Sequence, residues 1–187
     1  MKAEFLRKSI HLSIALIPFA AAFDLSFTAL LLMIGMLVYT MAEGMRYLGF
    51  SLPLVSGITE TVLRRKEQGR FALAPLTLGF GALLSLLLFP PQIATAAIFI
   101  LAFGDTAGTM VGKFLGRLRP AFLAGKSVEG SLACFLVSFT AAFLVFNDWK
   151  TSLAAASIAL LLDILPLGDM DNLLMPLAVG ACVSLFF

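Results

Sequence analysis

Charged side chains are scarce in this sequence of 187 residues. Lysine, arginine, aspartate and glutamate make up 13% of it, about half of the roughly 25% that is usual in soluble domains. Because 60% of the residues are hydrophobic, a soluble globular domain and a disordered chain are both excluded. The net charge of only +2 excludes a protein that binds nucleic acid through a strongly basic surface.

Cysteine and histidine are scarce as well. Cys134 and Cys182 lie in apolar runs without a CxxC or Cys/His spacing, and His11 is the only histidine. The sequence therefore predicts neither a disulfide framework nor a zinc site.

Uncharged apolar runs, in contrast, are abundant. A helix needs about 17–25 residues to cross a hydrocarbon core of roughly 30 Å. We therefore expect an all-α, polytopic integral membrane bundle that forms one domain over residues 1–187, with about seven transmembrane helices. The expected spans are Ile10–Phe23, Leu25–Ala42, Phe71–Phe89, Gln92–Gly104, Ser131–Phe146, Thr151–Leu162 and Asn172–Phe187.

Two further features concern the membrane boundary. Leu54, Ile58 and Val62 recur at four-residue spacing and predict a short helix that lies in the interface. The basic residues before Ile10 and the small residues 20–22 are also typical of a cleaved secretory signal, but we expect this segment to be retained as the first span.

Lysine and arginine predict how the chain is oriented. The N-terminus holds three of them, the loop 43–70 holds five and the loop 105–130 holds four, so that only Lys150 lies on the other side of the expected bundle. Cytoplasmic loops carry the excess of these residues. We therefore expect a cytoplasmic N-terminus, an outer C-terminus, and any polar chemistry at the cytoplasmic face.

Two acids interrupt the apolar runs. Counted from the starts of their helices, Asp105 lies about 20 Å in and Asp163 about 18 Å in, at nearly the same level. An intramembrane acid is costly and usually functional, and Mg²⁺ is held by one or two carboxylates plus substrate phosphates. The alternative is an acid that a neighbour such as Arg46 or Lys113 neutralises.

The segment around Asp105 carries two stripes with a four-residue period. The first favours close helix packing and consists of Gly104, Gly108, Gly112 and Gly116. The second would suit phosphates that approach backbone N–H groups and consists of Asp105, Thr109, Lys113 and Arg117. Phe114 follows Lys113 where a P-loop has Ser or Thr, so the segment is not a P-loop.

Three further clusters are candidates for the same site. Ser127 suits a helix N-cap, and Lys126 beside it adds a positive charge for an anion; Glu129 could serve the same metal. The others are Arg7, Lys8 and His11 at the mouth of the first helix, and Asp169, Asp171 and Asn172 before the last one. A capped helix entrance, a flank of positive charge, a packing histidine and a simple turn explain these clusters about as well.

The ordered combination of these motifs resembles the polyprenol kinase family. The motifs are Arg7-Lys8-x-x-His11, Gly104-Asp105-Thr106-Ala107, Gly112-Lys113-Phe114-Leu115-Gly116-Arg117, Lys126-Ser127-Val128-Glu129-Gly130-Ser131, and Asp171-Asn172 with Pro176. The family includes dolichol kinases, phytol kinases and the CTP-dependent diacylglycerol kinase, and it is related to phosphatidate cytidylyltransferases. The resemblance covers nearly the whole chain and implies a polytopic enzyme that phosphorylates a lipid alcohol with CTP.

The resemblance also implies functional positions. They are Arg7, Lys8, Asp105, Gly112, Lys113, Lys126, Ser127, Glu129, Asp171 and Asn172. One departure is that Met170 precedes Asp171 where paired acids are expected before Asn172, with Asp169 displaced by one position.

The placement of the charged residues and the family resemblance lead to one hypothesis. The protein would be a kinase that transfers the γ-phosphate of CTP to a polyprenol, a phytol-type alcohol or diacylglycerol. The catalytic acids would be Asp105 and Asp163. The phosphates would be bound by Arg7, Lys8, His11, Gly108, Thr109, Gly112, Lys113, Arg117, Lys126 and Ser127. A Mg²⁺ ion would be held by Asp105, Glu129, Asp163, Asp171 and Asn172.

Two alternatives stay open. A cytidylyltransferase would also use CTP in a membrane, but its PGHGG-like run and following Asp-Arg are absent from this sequence. A small carrier or lipid-binding bundle would use Asp105 and Asp163 as an ion path, although no internal repeat is visible.

Overall fold

The protein is described by a computed structural model over residues 2–50 and 71–186, and every regular element among these residues is helical. The expected all-α class is therefore confirmed. The interfacial helix predicted at Leu54, Ile58 and Val62 lies outside the described residues. The α-helices are α1 Lys2–Ser13, α2 Ile17–Phe23, α3 Leu25–Tyr47, α4 Ala74–Leu88, α5 Pro91–Phe99, α6 Asp105–Phe114, α7 Val128–Phe146, α8 Trp149–Ile164 and α9 Asp171–Val183.

Five helical stretches in the described part are long and apolar enough to cross a membrane, fewer than the seven expected. They are Glu4–Phe23, Leu25–Tyr47, Pro91–Phe114, Val128–Phe146 and Gly168–Phe186. The prediction took all seven uncharged runs as spans although several were marginal in length. Helix α4 has 15 residues and α8 has 16, which gives each about 22–24 Å, short of a hydrocarbon core of roughly 30 Å. The predicted orientation of the termini depended on seven crossings and stays a prediction.

The stretch Pro91–Phe114 is the centre of the bundle. It joins α5 to α6 through a π-helical turn, Ile100–Gly104. Of its 18 most apolar consecutive residues 67% are buried, whereas the corresponding share is 17–33% in the other four spans. Alanines let α7, α8 and α9 pack closely around it, since small residues allow helix backbones to approach one another in membranes. Helix α3, by contrast, is largely exposed and presents apolar side chains to the lipid.

The glycine stripe brings α6 and α7 into backbone contact. A Cβ atom on Gly108 would lie 2.9 Å from Cβ of Cys134, and one on Gly130 would lie 2.7 Å from the carbonyl oxygen of Gly108 and 2.8 Å from Cα of Gly112. Such distances leave no room for a methyl group. The packing interpretation of the stripe is therefore confirmed.

A buried acid that the sequence analysis did not single out joins α3 to the start of α4. The side chain of Glu43 is completely buried, binds Arg46 through both oxygens and accepts a hydrogen bond from the N–H of Ala72 at 2.8 Å. The hydroxyl of Tyr39 donates to the carbonyl oxygen of Ala72 at 3.0 Å. Two residues of α3 thus hold the chain where it enters α4.

We expect Gly130→Ala to lower the midpoint of heat unfolding in detergent micelles, by the equivalent of about 1–3 kcal/mol, because overpacking forces two backbones apart. The matched control is Gly44→Ala, where a new methyl meets no atom within 4 Å. It should unfold at the same temperature or slightly higher, since alanine favours a helix over glycine. Equal midpoints for the two variants would contradict the contact between α6 and α7.

Candidate active site

A cavity of about 660 Å³ opens where α1, α6, α7, α8 and α9 meet. Polar and charged side chains from all five helices or from the residues just before them line it. The structure thus brings together most of the residues that the sequence analysis selected, across long separations in the chain. The predicted residues in this lining are Arg7, Lys8, His11, Asp105, Gly108, Thr109, Gly112, Lys113, Lys126, Ser127, Asp163, Asp171 and Asn172.

Asp105 lies directly after the π-helical turn and is bound by two residues of α1. Nζ of Lys8 is 2.5 Å from Oδ2 of Asp105, and Nε2 of His11 is 3.1 Å from the same oxygen. Lys8 and His11 share a helix face because they are three residues apart. The residue that neutralises Asp105 is thus Lys8 and not Arg46 or Lys113, the two neighbours expected from the sequence.

His11 has a second neighbour within the π-helical turn. Its Nε2 atom lies 3.0 Å from the carbonyl oxygen of Leu101. The Leu101 carbonyl oxygen and Oδ2 of Asp105 can only accept hydrogen bonds. Nε2 therefore carries a proton and shares this hydrogen bond between the two oxygens. π-helical turns occur frequently at functional sites.

Asp163 forms the second buried ion pair of the cavity. Oδ1 of Asp163, near the end of α8, lies 2.5 Å from Nζ of Lys126, and the Asp163 side chain is 4% exposed while that of Lys126 is 37% exposed. Ala124 and Gly125 adopt positive φ and turn the chain just before Lys126. Ser127 then caps α7 by accepting a hydrogen bond from the N–H of Gly130, as its position in the sequence suggested.

The start of α9 supplies further carboxylates. Asp169 and Asp171 line the cavity, and within the described ranges no lysine, arginine or histidine forms an ion pair with either. Asn172 donates to Oγ1 of Thr77 on α4 at 3.5 Å. Asp169 and Asp171 thus add two carboxylates to one wall of the cavity, and Asn172 adds an amide.

The carboxylates of the cavity fit a magnesium ion only if a bound phosphate supplies part of its coordination shell. No cluster of three metal-ligating side chains occurs within residues 2–50 and 71–186. Mg²⁺ commonly uses one or two carboxylates and completes its shell with water and phosphate oxygens. Asp171 and Asp163 could supply such carboxylates, with the side-chain oxygen of Asn172 as a neutral donor.

Two predicted residues, Arg117 and Glu129, do not belong to the described lining of the cavity. Helix α6 ends at Phe114, so the four-residue stripe does not extend to Arg117. The Glu129 carboxylate instead accepts hydrogen bonds from the backbone N–H groups of Arg117 and Leu118, at 3.0 and 3.2 Å. It holds the loop after α6 against the start of α7.

Among the lining residues that lie in none of the motifs and clusters predicted from the sequence, three have charged or hydroxyl-bearing side chains: Glu4, Tyr39 and Arg119. Glu4 forms ion pairs with Arg7 and Lys113, and its three-residue spacing from Arg7 was a visible signal. Arg119 donates to the carbonyl oxygens of Gly112 and Gly125 at 2.7 and 2.8 Å. No spacing in the sequence predicts these contacts of Arg119, because the loop after α6 determines them.

Comparison with known proteins gives partial similarities. The chain is 32% identical over 80 residues to a CTP-dependent diacylglycerol kinase 1 of Eremothecium gossypii, which covers 43% of this chain and 25% of that protein. It is 31% identical over 80 residues to the protein of the same name from Schizosaccharomyces pombe, covering 41% and 37%. An uncharacterised protein of Methanocaldococcus jannaschii is 27% identical over 136 residues, covering 72% and 69%.

The chain thus spans between a quarter and two fifths of the length of the two kinases. The resemblance to CTP-dependent diacylglycerol kinases is supported over that part. No protein-family model matches the chain. No solved structure matches it either.

We expect Lys8→Met to destabilise the protein by about 3–5 kcal/mol, because it leaves the Asp105 carboxylate buried without its ammonium partner. The double variant Lys8→Met/Asp105→Asn should lose less than the sum of the two single variants. Chemical denaturation in detergent measures this coupling, with Lys150→Met, an exposed lysine beside Trp149, as the control. Strictly additive losses would show that Lys8 and Asp105 do not interact.

Proposed function

We propose that this chain is a CTP-dependent lipid kinase that transfers the γ-phosphate to the hydroxyl of a membrane lipid alcohol. The observation that carries the proposal is one cavity in which two carboxylates from different helices each bind a lysine, beside helices long enough to span a membrane. The names of the two similar kinases supply CTP and the lipid. Diacylglycerol is the acceptor they name; polyprenols and phytol-type alcohols are the further candidates from the resemblance.

The cations of the cavity suit a triphosphate. Lys8, Lys126 and Lys113 reach the cavity from three different elements, and each already binds a carboxylate there. Phosphoryl transfer depends mainly on positioning and on stabilising the charge of the transferred group. We propose that Lys8 and Lys126 leave their carboxylates for phosphate oxygens when the nucleotide binds.

That exchange would free the two carboxylates for chemistry. Asp105 would accept the proton as the lipid hydroxyl oxygen bonds to the γ-phosphorus and the bond from that phosphorus to the β-bridging oxygen breaks, which releases CDP. Asp163 and Asp171, with Asn172, would hold Mg²⁺. A bound Mg²⁺ would stabilise negative charge on the phosphate oxygens.

The cytoplasmic face is part of the same proposal. Twelve of the 13 lysines and arginines lie in the N-terminal segment and in the two long loops, and the cavity draws its lysines from the first and last of these regions. Positive residues concentrate on the cytoplasmic side of membrane proteins. The donor nucleotide is available on that side.

Labelled CTP tests the proposal against both alternatives. The protein, reconstituted in vesicles that contain diacylglycerol or a polyprenol, is given CTP labelled at the α or the γ phosphate. We expect the label to reach the lipid from the γ position alone. Transfer from the α position would indicate cytidylyl transfer, and transfer from neither, in any lipid, would refute a kinase.

Substitution of the buried acids tests the assigned roles. Asp105→Asn should lower kcat by about 10²–10⁴-fold, the usual range for removing a positioned proton acceptor. The matched control is Asp148→Asn at the other end of α8 from Asp163. Asp148 caps that helix, and hydrogen bonds from Thr151 hold the pKa of its carboxyl below the usual range.

Asparagine is an equally good N-cap, so Asp148→Asn should keep both fold and turnover. If Asp105→Asn, folded as judged by its elution from a sizing column, turns over as fast as this control, Asp105 is not the proton acceptor.

A further inference from the structure

An apolar groove runs along the lipid-facing surface between α3 and α4. Its volume is about 230 Å³, and it is separate from the charged cavity except at two shared residues, Tyr39 and Pro75. Its lining is Leu31, Leu32, Gly35, Met36, Tyr39, Pro75 and Leu76. The groove carries no charged side chain in the described part of the chain.

We propose that this groove binds the hydrocarbon chain of the lipid alcohol and that Tyr39 marks the point where the chain passes into the cavity. The inference rests on the proposed function, since it assigns a place to the acceptor of that reaction. Its basis is adjacency: Tyr39 and Pro75 line both the apolar groove and the cavity that holds Asp105 and Asp163, so one amphipathic molecule could reach from the groove to the cavity.

The direction of the groove fits a lipid. From Tyr39 to Leu31 it follows α3 for eight residues, or about 12 Å, away from the cavity and across the middle of the span. A lipid whose hydroxyl lies in the cavity would therefore keep its tail parallel to the neighbouring lipid chains. The tail would not have to leave the bilayer for the reaction.

Tyr39 is held at the junction by its hydroxyl. That group donates to the carbonyl oxygen of Ala72, a residue of the cavity lining that Glu43 also binds. Tyrosine offers an apolar ring and a polar tip, which suits a boundary between hydrocarbon and water. The hydrogen bonds from Tyr39 and to Glu43 thus fix α3 against Ala72, where groove and cavity adjoin.

Gly35 and Met36 form the middle of the groove. A Cβ on Gly35 would meet no atom within 4 Å, so the space above this glycine is open. Met36 closes the inner side, because a Cβ on Gly79 of α4 would lie 2.8 Å from its sulfur. Methionine is flexible and adapts to ligands of irregular shape.

Gly35→Leu tests the groove because it places an apolar side chain at a position where an added Cβ meets no atom within 4 Å. We expect kcat/KM for a long-chain alcohol to fall by roughly ten- to a hundredfold, since a displacement of about 1 Å at the reacting group can cost 10²-fold. An alcohol whose chain ends before Gly35, about 6 Å along α3 from Tyr39, should react as it does with the unmodified protein. The matched control is Gly44→Leu, on the same helix but outside groove and cavity, which should react normally with both alcohols.

Photocrosslinking tests binding without turnover. A long-chain alcohol with a diazirine in its tail should label Leu31, Met36 or Leu76 in the unmodified protein, and an excess of unlabelled alcohol should abolish that labelling. Gly35→Leu should remove it, whereas Gly44→Leu should retain it.

The outcomes separate the two proposals. Equal loss of activity with short and long alcohols, no loss with either, or labelling that excess alcohol does not reduce would overturn the groove assignment. If the unmodified protein phosphorylates no alcohol, the kinase proposal fails, and the crosslinks alone decide whether the groove binds a lipid.

Discussion

The arrangement of this molecule depends on pairing two buried acids with lysines, one buried and one partly exposed. Asp105 and Asp163 are almost fully buried, and a lone charge inside a membrane bundle is too costly to keep. Lys8 and Lys126 remove that cost by binding them at 2.5 Å, and they come from separate parts of the chain. The two pairs therefore join the N-terminal helix and the loop before α7 to the central and eighth helices.

Small residues make these pairs geometrically possible. The glycines of α6 and Gly130 of α7 let the two backbones touch, so that Asp105 and the Lys126–Ser127 turn face the same cavity. A larger residue at this crossing would separate the acid on α6 from the cation before α7. Packing and charge thus depend on one another: the close contact brings the charged groups together, and the ion pairs stabilise the contact.

The sequence predicts the helical class, and most of the site residues it selects lie in the cavity, but it predicts neither the ion pairs nor the number of spans. Runs without charge identify helices, yet α4 and α8 show that a run need not be long enough to cross a bilayer. The four-residue spacing places Arg117 on the same face as Asp105 only if the helix continues that far. Helix α6 ends at Phe114, so this spacing does not apply to Arg117.

The pairings depend on contacts between residues 37 and 97 positions apart, which no local spacing encodes. Glu43 was missed for the same reason, because its acceptor role involves Ala72, 29 residues further along the chain.

Under the two proposals, the cavity with its paired acids and the apolar groove beside it are parts of one site. A cavity with free carboxylates and lysines would hold water and ions tightly, and an amphipathic acceptor would have to displace them. Asp105 and Asp163 are each bound to a lysine, and the groove that begins at Tyr39 carries no charged side chain in the described part of the chain. A polyphosphate is the kind of ligand that separates such pairs, because it competes for the lysines and brings a cation for the carboxylates. Under the proposed function, the two carboxylates would then be released from their lysines only when the donor is bound.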